Sequence, residues 1–177
     1  MLGMEWAGIR SAESSAEFVP AAVANLLDED FRTRDDAYAS LDNGVVQDGR
    51  LSEAAYYVVP LLIDLLERAT SDTGKDLVYD LLYEIGNGWA DDVDHVTLPD
   101  GSAVPLGIAC RRAVRDHVRL YLRDVTATDA TVRRRVLDVL VSMNEPDRPG
   151  EIQRLLGEVA TTDSLVLADI AQANRDL

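Results

Sequence analysis

The chain has 177 residues, 47% of them hydrophobic and 28% charged, with a formal net charge of −15. That is enough chain for one domain with a continuous core, and the composition is not that of a disordered segment. The lone cysteine, Cys110, excludes an intrachain disulfide, the apolar run at 54–63 is too short to span a bilayer, and the carboxylate excess repels nucleic acid.

The charge is uneven. Residues 1–100 hold 6 Lys or Arg against 21 Asp or Glu, whereas 101–177 hold 11 of each. Such a field attracts basic partners and speeds their encounter. Residues 1–10 have no basic segment ahead of an apolar stretch, so no secretory signal is expected. A reducing cytoplasm is the expected setting.

Three segments repeat a Val-Pro followed by helical apolar spacing, at Val19-Pro20, Val59-Pro60 and Val104-Pro105; the prolines are 40 and then 45 residues apart. A second match has the same order. Residues 36–44 align without gaps on 80–88, both ending in Asn-Gly, expected to be a helix stop at positive φ.

The elements follow in chain order. Helices are expected at about 14–29, capped by Ser14 or Ser15, at 33–41, at 52–69, capped by Ser52, and at 73–87. The third is apolar nearly all round, so it should be the central core element, with Val58, Leu62, Leu65 and Leu66 inaccessible and Pro60 kinking it. Leu81, Leu82 and Ile85 should bury the fourth helix. Residues 89–102 break the pattern and read as a long loop or a small hairpin pairing 95–98 with 103–104. Further helices are expected at 104–122, at 129–143, capped by Asp129, then, after a turn at 145–150, at 151–159 and 164–175. The fold is therefore all-α, about eight helices in one domain.

The stretch Tyr56-Tyr57-Val58-Val59-Pro60-Leu61-Leu62-Ile63-Asp64-Leu65-Leu66 resembles small bacterial HEAT-repeat proteins of the armadillo type, and 132–140 resembles the second half of such a repeat. The resemblance covers about 18–140. It implies a short α-solenoid of helix pairs with no catalytic residues to carry over. Some proteins of this kind are scaffolds, and some small acidic ones are immunity proteins against secreted toxins.

A search for chemistry finds little. Cys110 and His117 are seven apart, two turns along one helix, too far to share a metal or a proton. Asp91, Asp92 and Asp94 lack the glycine and glutamate of a calcium loop. No residue set points to a catalytic site, a metal or a cofactor. Arg111, Arg115 and Arg119 form a stripe at i, i+4, i+8, and Arg133, Arg134 and Arg135 follow; with carboxylates interleaved, intramolecular ion pairs are their expected use.

The acidic counterpart is sharper. Asp76, Asp80 and Glu84 repeat at i, i+4, i+8, flanked by Tyr79 and Tyr83, and Asp35, Asp36 and Asp42 occupy the equivalent helix of the preceding repeat. With Asp91, Asp92 and Asp94 at the rim, these eleven residues are the expected partner-binding face. The expected occupant is a basic protein, a toxin domain in the most specific reading, with no nucleic acid and no membrane. A general scaffold or regulatory HEAT-repeat protein, or an enzyme accessory subunit, is the alternative.

Overall fold

The computed structural model describes residues 5–12, 14–98, 100–143, 150–159 and 161–177. Helix dominates, and the fold is all-α. Among the described residues there are nine α-helices: α1 (Val19–Asn25), α2 (Phe31–Val45), α3 (Ala54–Arg68), α4 (Lys75–Asn87), α5 (Leu106–Arg115), α6 (Val118–Asp124), α7 (Ala130–Ser142), α8 (Glu151–Gly157) and α9 (Ser164–Asp176). The expected turn at 145–150 lies, but for Gly150, outside the described residues.

The first helix is shorter than expected. Pro20, with its fixed φ and missing amide, suits a first turn, and α1 begins there rather than at Ser14. Ser15 instead bridges to Arg10, and the Ala16 amide donates to Ile9 O. Helix α2 is longer than expected. Asp30 caps it, accepting from the Thr33 amide at 2.9 Å. It then runs through Asn43-Gly44 to Val45, so that pair is no stop.

Gly88 does follow the last residue of α4, but with φ −64° and ψ 160°. Neither glycine has the positive φ the sequence suggested. Their common feature is close approach. A Cβ on Gly44 would collide with the Phe18 ring, and one on Gly88 would lie 2.5 Å from Leu51 Cδ2.

Two small hairpins punctuate the helices. The first, β1 (Val46–Gln47) with β2 (Arg50–Leu51), was not expected. Its turn is Asp48-Gly49, with φ of 51° and 76°, the left-handed pair that a two-residue hairpin favours. The second, β3 (His95–Thr97) with β4 (Ala103–Pro105), pairs Val96 with Val104 as the alternation in 95–104 suggested.

The expected helix at 104–122 is two helices, broken at Asp116-His117. Tyr121 supplies the reason. Its buried ring packs edge-on against Tyr79, and its hydroxyl donates to Val114 O at 2.7 Å, satisfying a carbonyl at the end of α5. Helix α7 keeps its expected cap: Asp129 accepts from the amides of Thr131 and Val132.

The core is continuous from Ile9 to Ala173. Helix α3 lies at its centre, with Val58, Leu62 and Leu66 essentially inaccessible, though Leu65 is only partly buried. Pro60 sits on its outer side, and the helix runs through it unbroken. Leu41 and Ile85 are each buried, as are Leu81 and Leu82. Neighbouring helices form two rows. In one, α1 touches α3 and α3 touches α5; in the other, α2 touches α4, α4 touches α7 and α7 touches α9.

Candidate functional site: a carboxylate face on α2, α4 and α7

Amphipathic periodicity turns the apolar side of α4 inward and leaves Asp76, Asp80 and Glu84 on the outer side, each partly buried. Asp80 is the hub. Its Oδ2 accepts from the Tyr38 hydroxyl of α2 at 2.6 Å, and its Oδ1 lies 2.9 Å from Arg135 Nη1 of α7. Arg135 also reaches Asp138 at 4.0 Å. Three helices thus gather Asp42, Asp80, Glu84 and Asp138 on one face, with Arg135 against Asp80, Glu84 and Asp138.

Burial and like charge outweigh the nearby cations. Burial holds the Asp42 carboxyl above its ordinary range, and Asp80 and Asp48 add to the effect. Glu84 is pushed up by burial and then by Asp80 and Asp42, with Arg135 opposing. Asp138 is pushed up by burial, which outweighs the relief from Arg135 and Arg134, and Asp80 and Asp176 add smaller contributions in the same direction. Burial and the Asp80 hydrogen bond raise Tyr38 as well, so its hydroxyl stays a donor. Asp35 and Asp36 stand exposed on α2, and Tyr83 is partly buried on α4.

Comparison with protein-family models, with curated proteins and with solved structures returns no match.

Two parts of the expected face belong elsewhere. Tyr79 is fully buried and donates to Asp124 Oδ2 at 2.8 Å, because it shares the inward side of α4 with Val78 and Leu82. It is a core residue. The 91–94 loop is engaged with the amino-terminal part of the chain: Asp91 pairs with Arg50 at 2.6 Å, whose guanidinium lies over the Trp89 ring, and Asp94 lies 3.9 Å from Arg10. Asp92 is exposed. Asp138, by contrast, joins the face although the sequence showed it only as one acid among arginines. Its partner Arg135 lies on the same helix, but its tie to Asp80 needs the fold.

The arginines are largely used internally. Arg115 pairs with Glu151 at 2.7 Å, Arg123 with Asp124 at 3.0 Å and Arg133 with Asp169 at 3.1 Å. The Arg111–Arg115–Arg119 stripe is interrupted by the α5–α6 break. The one lysine, Lys75, is buried between Asp72 at 3.2 Å and Asp124 at 3.3 Å. Burial pushes the Cys110 thiol up to about 12, which leaves it a protonated apolar group. Among the described residues no His, Cys, Asp and Glu group could hold a metal, and no helix is long and apolar enough to cross a membrane.

Proposed function

We infer that the protein is a non-enzymatic binding module of HEAT-like helix pairs, whose α2–α4–α7 face receives a basic protein. The observation that carries this reading is the cluster of carboxylates across α2, α4 and α7, where Asp80 binds Tyr38 and Arg135 and where burial and neighbouring carboxylates hold Asp42, Glu84 and Asp138 above their ordinary range. The folded chain maintains more negative charge there than its own cations offset. A cationic group from a partner would relieve it, and the long-range field of a −15 chain would speed the encounter. The row order of the helices supports the repeat reading, since stacked pairs bring successive second helices side by side.

The specific form we propose is an immunity protein, acting in the cytoplasm, that covers the positive substrate groove of a toxin such as a nuclease. The test is calorimetric titration with the basic product of an adjacent gene, at two salt concentrations. Nanomolar to micromolar binding that weakens with salt, and weakens further in Asp42→Lys/Glu84→Lys, is the expected result. Equal affinity of that variant and the parent chain removes the face from the reading. If no adjacent product is bound, the toxin assignment fails.

A further inference from the structure

A cavity of about 290 Å³ opens on the other row of helices, between α3, the β3–β4 hairpin and the α5–α6 break. A cavity of roughly 150 Å³ accommodates a benzene ring, so this one has room for a ring and a short chain. Its apolar wall includes Leu98 and Val104 from the hairpin that interrupts the repeat spacing. The insertion therefore has a use: it closes one side of a pocket that α3 and α5 would leave open.

The remaining walls hold two acceptors, the Tyr56 carbonyl and the Asp116 carboxylate, beside Arg112 and His117, which can donate. Pro60 has no amide hydrogen, so the Tyr56 carbonyl, one turn earlier in α3, lacks its helical donor. Both residues line the cavity. Asp116, also on the wall, is exposed, and among the described residues its side chain has no ion pair or hydrogen bond. His117 adds an imidazole. The Tyr56 ring is held edge-on to Tyr57, 5.2 Å between centroids, and a ring so fixed attracts a cation over its face. Arg112 is the one cation on the wall. It sets a limit on where a positive ligand group can sit, away from α5's middle turn and toward Tyr56 and Asp116.

We propose that this cavity binds a small organic ammonium ion with an apolar ring. The ring lies against Leu98 and Val104, and the ammonium lies between the Asp116 carboxylate and the Tyr56 carbonyl. The site stands apart from the α2–α4–α7 face, so either can fail without the other.

The experiment titrates 2-phenylethylammonium into the isotope-labelled full chain and follows amide shifts. Phenylacetate and 2-phenylethanol serve as charge-reversed and neutral probes of the same shape. The expected result is saturable shifts at residues 56–59, 98 and 104–117 with the amine, weaker binding of the alcohol, and none of the acid. Asp116→Asn should weaken the amine about tenfold, the scale of one hydrogen bond to a charged group. Asp138→Asn, on the other face, should leave it unchanged, and Val104→Trp should abolish it by filling the space. Phenylacetate binding as tightly as the amine, no saturable shifts with the amine, or equal loss in Asp138→Asn would each overturn the proposal.

Discussion

The Tyr38 hydroxyl donates to Asp80 Oδ2 at 2.6 Å and so ties α2 to α4 across the carboxylate face. A hydrogen bond to a charged, partly buried acceptor contributes about 1.5–3 kcal/mol. Asp80 keeps Arg135 when the hydroxyl is removed. Tyr38→Phe should therefore cost toward the lower end, about 1.5 kcal/mol, seen as a lower urea midpoint at unchanged slope. An unchanged midpoint would mean that water replaces the hydroxyl without loss.

The raised carboxyls make a signed prediction about pH. A carboxyl whose folded value lies above its unfolded value favours folding while it is protonated, and that contribution is lost as pH rises through the folded value. At pH 7, Asp42, Glu84 and Asp138 are therefore ionised at a cost to stability. Asp42→Asn/Glu84→Gln should stabilise the chain at pH 7 by a few tenths of a kcal/mol per relieved like-charge contact. The gain should shrink as pH falls toward 4. Urea titrations at the two pH values check this, and a variant less stable at pH 7 contradicts it. Stability given up at a face is expected where that face serves binding.

Lys75 makes the opposite case. Its ammonium is buried between Asp72 and Asp124, and Asp124 also holds the Tyr79 hydroxyl and Arg123. Lys75→Met leaves two carboxylates short of a cation and should cost about 3 kcal/mol, the lower end for a broken buried pair because Arg123 remains. Asp72 itself is held below the ordinary carboxylate range. Burial works against its charge, but the Asp129 amide, Lys75 and Thr128 together outweigh burial. Its contribution is present above the ordinary carboxylate value and is lost as pH falls through the lowered one. Thermal unfolding from pH 7 down to 2 should thus lose less in Asp72→Asn than in the parent chain.

How far the sequence revealed this molecule depended on the range of each interaction. Helices α3, α4, α7 and α9 were legible within two residues at each end, because periodicity and caps such as Asp129 are local. The break between α5 and α6 was not legible: the apolar pattern continues across it, and the interruption comes from Tyr121 docking on Tyr79. The β1–β2 hairpin could have been found from Asp48-Gly49 between Val46 and Leu51. On the carboxylate face, the α4 stripe was legible as spacing. The Asp80 pairing with Arg135 and Tyr38 required three helices to be placed, and so did the burial of Tyr79 beside that stripe.

The two Asn-Gly pairs yield the sharpest prediction, because local propensity and packing disagree there. Gly44 lies inside α2, where replacing glycine by alanine normally favours helix by about 1 kcal/mol. Asn43 already behaves as a helical residue, donating to Ala39 O just as Asn87 donates to Tyr83 O in α4. Yet the Phe18 ring, at the start of α1, fills the space a Cβ would need. The atoms in the way are at the far end of the ring, so either the Phe18 side chain turns to another rotamer or α1 and α2 separate. Overpacking of this kind costs about 1–3 kcal/mol, enough to reverse the propensity gain. Gly44→Ala should therefore destabilise the chain. Replacing the ring as well, in Phe18→Leu/Gly44→Ala, should recover part of the loss, because the two changes share one contact and will not add. Chemical denaturation of the four members of this cycle measures the coupling. A zero coupling energy, or a stabilised single variant, would mean that Gly44 is present for some reason other than the approach of Phe18.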